Sequence, residues 1–143
     1  MHIRSKGMIM LLGFSTVFAT FSVLADSPSP DGAMEYIISP SDGEIVHNPV
    51  RVQFGLKGMG VAPAGVEKSN TGHHHLLVDV NTLPAMDKPL PADEHHKHFG
   101  GGQTETELNL TPGKHTLQLI LGDSKHIPHK PPVMSKKITI TVK

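Results

Sequence analysis

Thr71-Gly72-His73-His74-His75-Leu76-Leu77-Val78-Asp79-Val80 begins as three consecutive imidazoles and ends as an apolar run. Strand alternation divides it into two faces, His74, Leu76, Val78 and Val80 on one and His73, His75, Leu77 and Asp79 on the other. The first face is apolar beyond its histidine, so it is expected to point into a core. The second places His73 and His75 side by side, about 6.6 Å apart along the strand at ~3.3 Å per residue. Two neutral imidazoles at that spacing can share one metal ion.

Residues 1–25 read as a secretory leader. His2, Arg4 and Lys6 form a basic start, Met8 to Phe21 an apolar stretch, and Val23 and Ala25 stand at the −3 and −1 positions before Asp26. The apolar stretch is short and broken by Ser and Thr, unlike a membrane span. No Cys follows that could carry a lipid. The expected outcome is export with no membrane anchor after cleavage. Removing Arg4 and Lys6 from a balanced 13 basic and 13 acidic residues leaves a slight acidic excess, which argues against a nucleic-acid partner. With no Cys, no Trp and one Tyr, the core must be built from Val, Ile and Leu, a composition that favours strands.

Residues 26–33, rich in Ser and Pro, read as a disordered linker, and residues 34–143 as one domain. Within that domain Glu35–Ser39 reads as a short strand ended by Pro40-Ser41-Asp42-Gly43. In residues 50–57, Val50, Val52, Phe54 and Leu56 alternate with Arg51, Gln53, Gly55 and Lys57. Further strands are expected over 73–80, 104–110, 115–121 and at Ile138, Ile140 and Val142. Gly58 to Asn70 and Asn81 to Gly102 read as loops; the second is longer than compact domains usually tolerate without a function. Thr111-Pro112-Gly113-Lys114 carries Pro and Gly where a type II turn needs them. Gly100-Gly101-Gly102 is followed by neither a Lys-Ser/Thr pair nor a helix, so it is not a phosphate loop, and no organic cofactor is indicated.

No helical period is sustained after the leader. About seven short strands separated by turn signals indicate an all-β sandwich of immunoglobulin or fibronectin type III style. His115 stands just after the Pro-Gly turn, where such folds often place a Tyr that bonds back to the backbone.

Four segments together resemble a family of exported bacterial domains of unknown function. They are Gly72-His-His-His-Leu-Leu-Val-Asp79, His98-Phe-Gly-Gly-Gly-Gln-Thr-Glu105, Pro112-Gly-Lys-His-Thr-Leu-Gln-Leu119 and Asp123-Ser-Lys-His-Ile-Pro-His129 with Pro131-Pro132-Val133. The resemblance implies a periplasmic location and a sandwich-like fold. It brings no activity.

In such a sandwich, the start of strand 73–80, the start of strand 104–110 and the end of strand 115–121 share one end. That end collects His73 and His75, the approach loop with His95, His96 and His98, and the following loop with Asp123, His126 and His129. The Gly58–Asn70 loop closes it, while His47 and His115 fall at the opposite end. Candidate metal ligands are therefore His73, His75, His126, His129, His98, His95 and His96. Imidazole without thiolate suits copper or zinc. His74, facing inward, is expected to satisfy its N–H on backbone.

Two classes of function fit. The first is a periplasmic copper or zinc module, a carrier or buffer whose partner is the ion. The second is a structural or interaction domain that grips an envelope protein through a histidine-rich, pH-sensitive loop end. An enzymatic variant of the first needs an open metal position and a base, for which Glu94, Glu105 and Asp123 are candidates.

Overall fold

Apolar residues at every second position of 50–57 demand one dry face, and the chain supplies it by stacking two sheets. The computed structural model describes residues 26–143; the leader expected over 1–25 lies outside the described residues. The elements are β1 (Met34–Ser39), β2 (Ile45–Val46), β3 (Val50–Lys57), β4 (Gly60–Val61), β5 (Thr71–Val78), β6 (His96–His98), β7 (Glu105–Leu108), β8 (Gly113–Gly122) and β9 (Ile138–Val142). No helix occurs among the described residues. One sheet has the order β1-β3-β7 and the other β2-β9-β8-β5-β4, with β6 also pairing β5. The fold is thus an all-β, two-sheet sandwich.

The main core lies between the sheets. Val50, Val52 and Phe54 from β3 and Leu108 from β7 meet Leu76 and Val78 from β5, Leu117 and Leu119 from β8, and Ile140 and Val142 from β9. Each such side chain contributes about 1.5–3 kcal/mol of hydrophobic stabilisation. Phe99 completes this layer, its ring 4.8 Å from that of Phe54.

A second, smaller core covers the outer face of the larger sheet. Leu77, Val80, Leu90 and Ile120 pack there with Met86 and Met134. The long 81–102 connection therefore has a structural duty: it lays Leu90 over the sheet and returns as β6. Because both faces of β5 are covered, all its residues from Gly72 to Val78 are buried.

β5 ends earlier than alternation suggests. Asp79 adopts a left-handed φ of 57°, a conformation Asp tolerates better than most residues. Its Oδ1 accepts the Thr116 N–H at 2.8 Å and its Oδ2 lies 2.7 Å from His115 Nδ1. The reversal sends Val80 to the outer core with Leu77, not to the inner face with Leu76 and Val78.

Residues 26–33, read from composition as a linker, run beside the 123–131 loop. Pro28 bridges to Lys130, Ser29 N–H donates to the Lys130 carbonyl, and the Lys130 N–H donates to the Ser27 carbonyl.

Candidate metal centre

β5 is the inner strand on which the site is built. It pairs antiparallel with β8 along one edge, bringing His73 opposite Gly122 and His75 opposite Ile120. Along its other edge it pairs antiparallel with β6, bringing His75 opposite His98. His73 and His75 project together from the outer face of the sheet, as alternation requires. The loop after β8 supplies His126 above them.

The four rings form one group. Ring centroids lie 4.8 Å apart for His73 and His75, 5.1 Å for His73 and His98, and 5.0 Å for His73 and His126. His98 and His126 are 4.7 Å apart, and His75 is 5.0 Å from His98 and 6.0 Å from His126. His73, His98 and His126 each bring one ring nitrogen within 4.8 Å of the others, close enough to hold a metal ion. His75 Nε2 lies 3.0 Å from His73 Nε2. Tetrahedral zinc with Zn–N bonds of 2.0–2.1 Å separates its ligand nitrogens by about 3.3 Å, so this pair already has nearly the required spacing.

Two glycines make the space. A Cβ on Gly122 would sit 2.9 Å from His75 Nε2 and 3.3 Å from His126 Cα. A Cβ on Gly100 would overlap the His98 ring. The triple glycine thus accommodates an imidazole at its first position. The 58–70 loop closes this end through backbone bonds: Ala62 N–H donates to Gly72, Ala64 N–H to Gly100, and Gly65 N–H to Ser124.

Burial decides the protonation state. His73 is held down to about 4 by desolvation, with the charges of His126 and His98 adding to it and Asp123 opposing. His75 falls to about 3, by desolvation first and then by repulsion from His73, His98 and His126. His98 is also lowered, by desolvation and by His126. His73 and His75 are therefore neutral at physiological pH, the state in which an imidazole offers a lone pair to a metal. Their Nδ1 atoms are buried and have no hydrogen-bond partner among the described residues. Such a group costs about 1–3 kcal/mol, and an ion held through the facing Nε2 atoms would leave both Nδ1 atoms as they are, so this is a cost the site carries.

Of the seven candidate ligands, the structure brings four together: His73, His75, His98 and His126. It does not bring His95, His96 or His129 into this ring group. Because β6 runs antiparallel to β5, each step back from His98 moves toward the far end, and His96 stands opposite Leu77. The His95 ring donates from Nδ1 to the Val78 carbonyl at 2.9 Å, and His96 Nδ1 lies 2.8 Å from Asp93 Oδ1. His129 is buried, its Nε2 3.2 Å from the Thr71 carbonyl and its Nδ1 without a partner.

The carboxylates named as bases lie apart from the rings or are committed elsewhere. Glu105 belongs to the opposite sheet and binds Arg51 at 2.7 Å. Asp123 Oδ1 accepts the Lys125 and Ile127 N–H groups, and its Oδ2 accepts the Ser27 hydroxyl. Glu94 is an exposed residue that lines a separate cleft with His95 and His115.

His74 differs from expectation. Its partner is not backbone but Glu35, with Nδ1 2.5 Å from Oε1 and both residues buried between the sheets. Burial raises the Glu35 carboxyl well above its usual range and lowers His74 to about 4. The pair is therefore a carboxylic acid donating to a neutral imidazole. A lone Glu at the start of a short strand gives no sequence signal of this burial.

His115 stands at the strand corner as expected, donating from Nε2 to the Thr111 carbonyl at 2.7 Å. Burial works against its charge, but the bonds to Asp79 and Thr111 and the Asp79 charge outweigh it and raise its pKa.

No curated protein and no solved structure matches the chain. A family model matches residues 52–143, a span that begins within β3 and includes all four clustered histidines, so the chain belongs to the family described as domain of unknown function DUF4399.

Proposed function

We propose that this domain is an exported copper- or zinc-binding module that acts in the periplasm as a carrier or buffer. The observation that carries this reading is the His73, His75, His98 and His126 group, in which two buried neutral imidazoles meet an exposed and a half-buried one, with ring nitrogens of His73, His98 and His126 within 4.8 Å of one another. Donor chemistry limits the ion: four imidazoles with no thiolate or free carboxylate beside them suit Zn²⁺ or Cu²⁺ better than Ca²⁺ or Mg²⁺. His98 is exposed and His126 half-buried, while His73 and His75 lie beneath, so an ion meets the outer pair first. That gradation suits loading and release.

The location rests on the leader-like residues 1–25 and on the resemblance of the four segments to exported domains. The alternative is an envelope interaction domain with a pH-sensitive end; His73 and His75, held near 4 and 3, would take no part in such a response near neutrality. The test is elemental analysis of untagged protein purified without a metal column. One copper or zinc per chain is expected. Protein that emerges metal-free and takes up neither ion would leave the interaction reading in front.

A further inference from the structure

The loop that carries His126 is tied to the beginning of the described chain. Ser27 Oγ donates to Asp123 Oδ2 at 2.6 Å, and Lys130 N–H donates to the Ser27 carbonyl at 2.9 Å. Ser29 N–H donates to the Lys130 carbonyl at 3.0 Å, and Ser29 Oγ donates to the Pro131 carbonyl at 2.6 Å. The Asp26 carboxylate lies 2.9 Å from Lys130 Nζ. Residues 26–29 thus bond to both ends of the loop, at Asp123 and at Lys130.

Asp123 is where these ties reach His126. Its Oδ1 accepts the Lys125 and Ile127 N–H groups at 2.8 and 2.9 Å. Its backbone N–H donates to the Ile127 carbonyl, and its own carbonyl accepts the His126 N–H, both at 2.9 Å. His126 is thereby held at φ 68°, a left-handed conformation that a non-glycine residue keeps only when its surroundings impose it. The Leu90 N–H, donating to the His126 carbonyl at 2.8 Å, steadies the other side. With its lone pairs taken by the turn and by Ser27, Asp123 is placed to shape the loop and not to ligate.

We propose that residues 26–29 are a strap which, through Ser27 and Asp123, positions His126 for metal binding. The inference rests on the metal reading above and deepens it. His73 and His75 are fixed by a strand paired on both edges, whereas His126 sits on a loop held by a few backbone bonds and by the Asp123 carboxylate. Preorganisation of that ligand raises affinity by sparing the ordering cost when the ion arrives. Ser27 and Asp123 are positioning residues in this scheme, and strap release is a route by which the ion could be let go.

The test compares the untagged chain starting at Asp26 with its Ser27→Ala and Ser27→Thr forms. Zinc affinity is measured by chelator competition, and amide exchange at His126 and Ile127 is measured in the metal-free proteins. Ser27→Ala is expected to weaken zinc at least fourfold and to speed exchange of both amides at least fivefold. Ser27→Thr, which keeps the hydroxyl, should stay within twofold on both readouts. Unchanged exchange in Ser27→Ala overturns the strap. So does faster exchange with unaltered zinc affinity, and so does an equal loss in both variants, which would point to packing instead of the hydroxyl. If the wild type takes up no zinc or copper, the metal reading fails separately, and the exchange arm still decides whether Ser27 orders the loop.

Discussion

Acidification should unfold the metal-free protein by a route that begins at His73 and His75. Unfolded histidine titrates near 6.5, whereas these two are held at about 4 and about 3 in the fold. Between those values the unfolded chain binds protons that the folded chain refuses, so stability falls as pH falls. Each pH unit costs ~1.4 kcal/mol per histidine. Going from pH 7.5 to pH 5, the two together remove about 4 kcal/mol, against a typical domain stability of ~5–15 kcal/mol. Glu35 and His74 act only in the upper part of this range, and there in the opposite direction. Below about 6.5 the unfolded pair is an anion and a cation and the folded pair an acid and a neutral base, one proton either way; above it unfolded His74 has lost its proton while the folded pair keeps one, which opposes the loss. His98 acts in the same direction as His73, while the raised His115 opposes them. Urea titrations in the presence of a chelator at the two pH values measure the sum. With m of about 2 kcal/mol/M, the midpoint should drop by ~2 M through His73 and His75. A His73→Asn/His75→Asn variant, which cannot titrate there, should lose most of that pH dependence. An equal midpoint at both pH values, or the same drop in the variant, would refute the reasoning.

Other outcomes follow from the same geometry. His95→Ala combined with His96→Ala should leave zinc affinity within twofold in a chelator competition assay, because both rings are engaged with Val78 and Asp93. His115→Ala should cost about 1–3 kcal/mol in urea unfolding at pH 6 without altering metal affinity. Because the His115 pKa is raised, the contribution of its charged form is complete below ~6.5 and is lost as pH rises through the folded value, so the gap between variant and wild type should narrow at high pH. Gly122→Ala should weaken metal binding measurably while far-UV circular dichroism stays that of a β-protein, since its new Cβ crowds His75 Nε2 and His126.

Much of the sandwich could be read from alternation, because β3, β5, β8 and β9 each repeat apolar residues at period two against a single inner core. The pairing of β5 with β8 then made His73, His75 and His126 neighbours, and the sequence supported that inference through strand direction alone. What could not be read were features set by partners distant in the chain. β6 is only three residues long and exists because β5 offers an open edge, so His98 and His95 looked equivalent although they point to different places. Val80 leaves the expected face because Asp79 turns left-handed to clasp Thr116 and His115. Glu35 and His74 are 39 residues apart, and nothing local to either announces that a carboxyl will be buried. Residues 26–33 have the composition of a linker, yet Ser27 finds Asp123 across 96 residues.

Isothermal titration of untagged protein with Cu²⁺ and Zn²⁺, comparing wild type with His73→Ala/His75→Ala, tests the metal centre most directly. The expected result is one ion per wild-type chain and at least a tenfold loss in the double variant, equivalent to ~1.4 kcal/mol. Equal, weak binding by both proteins would contradict it and reduce the four histidines to a packed aromatic group.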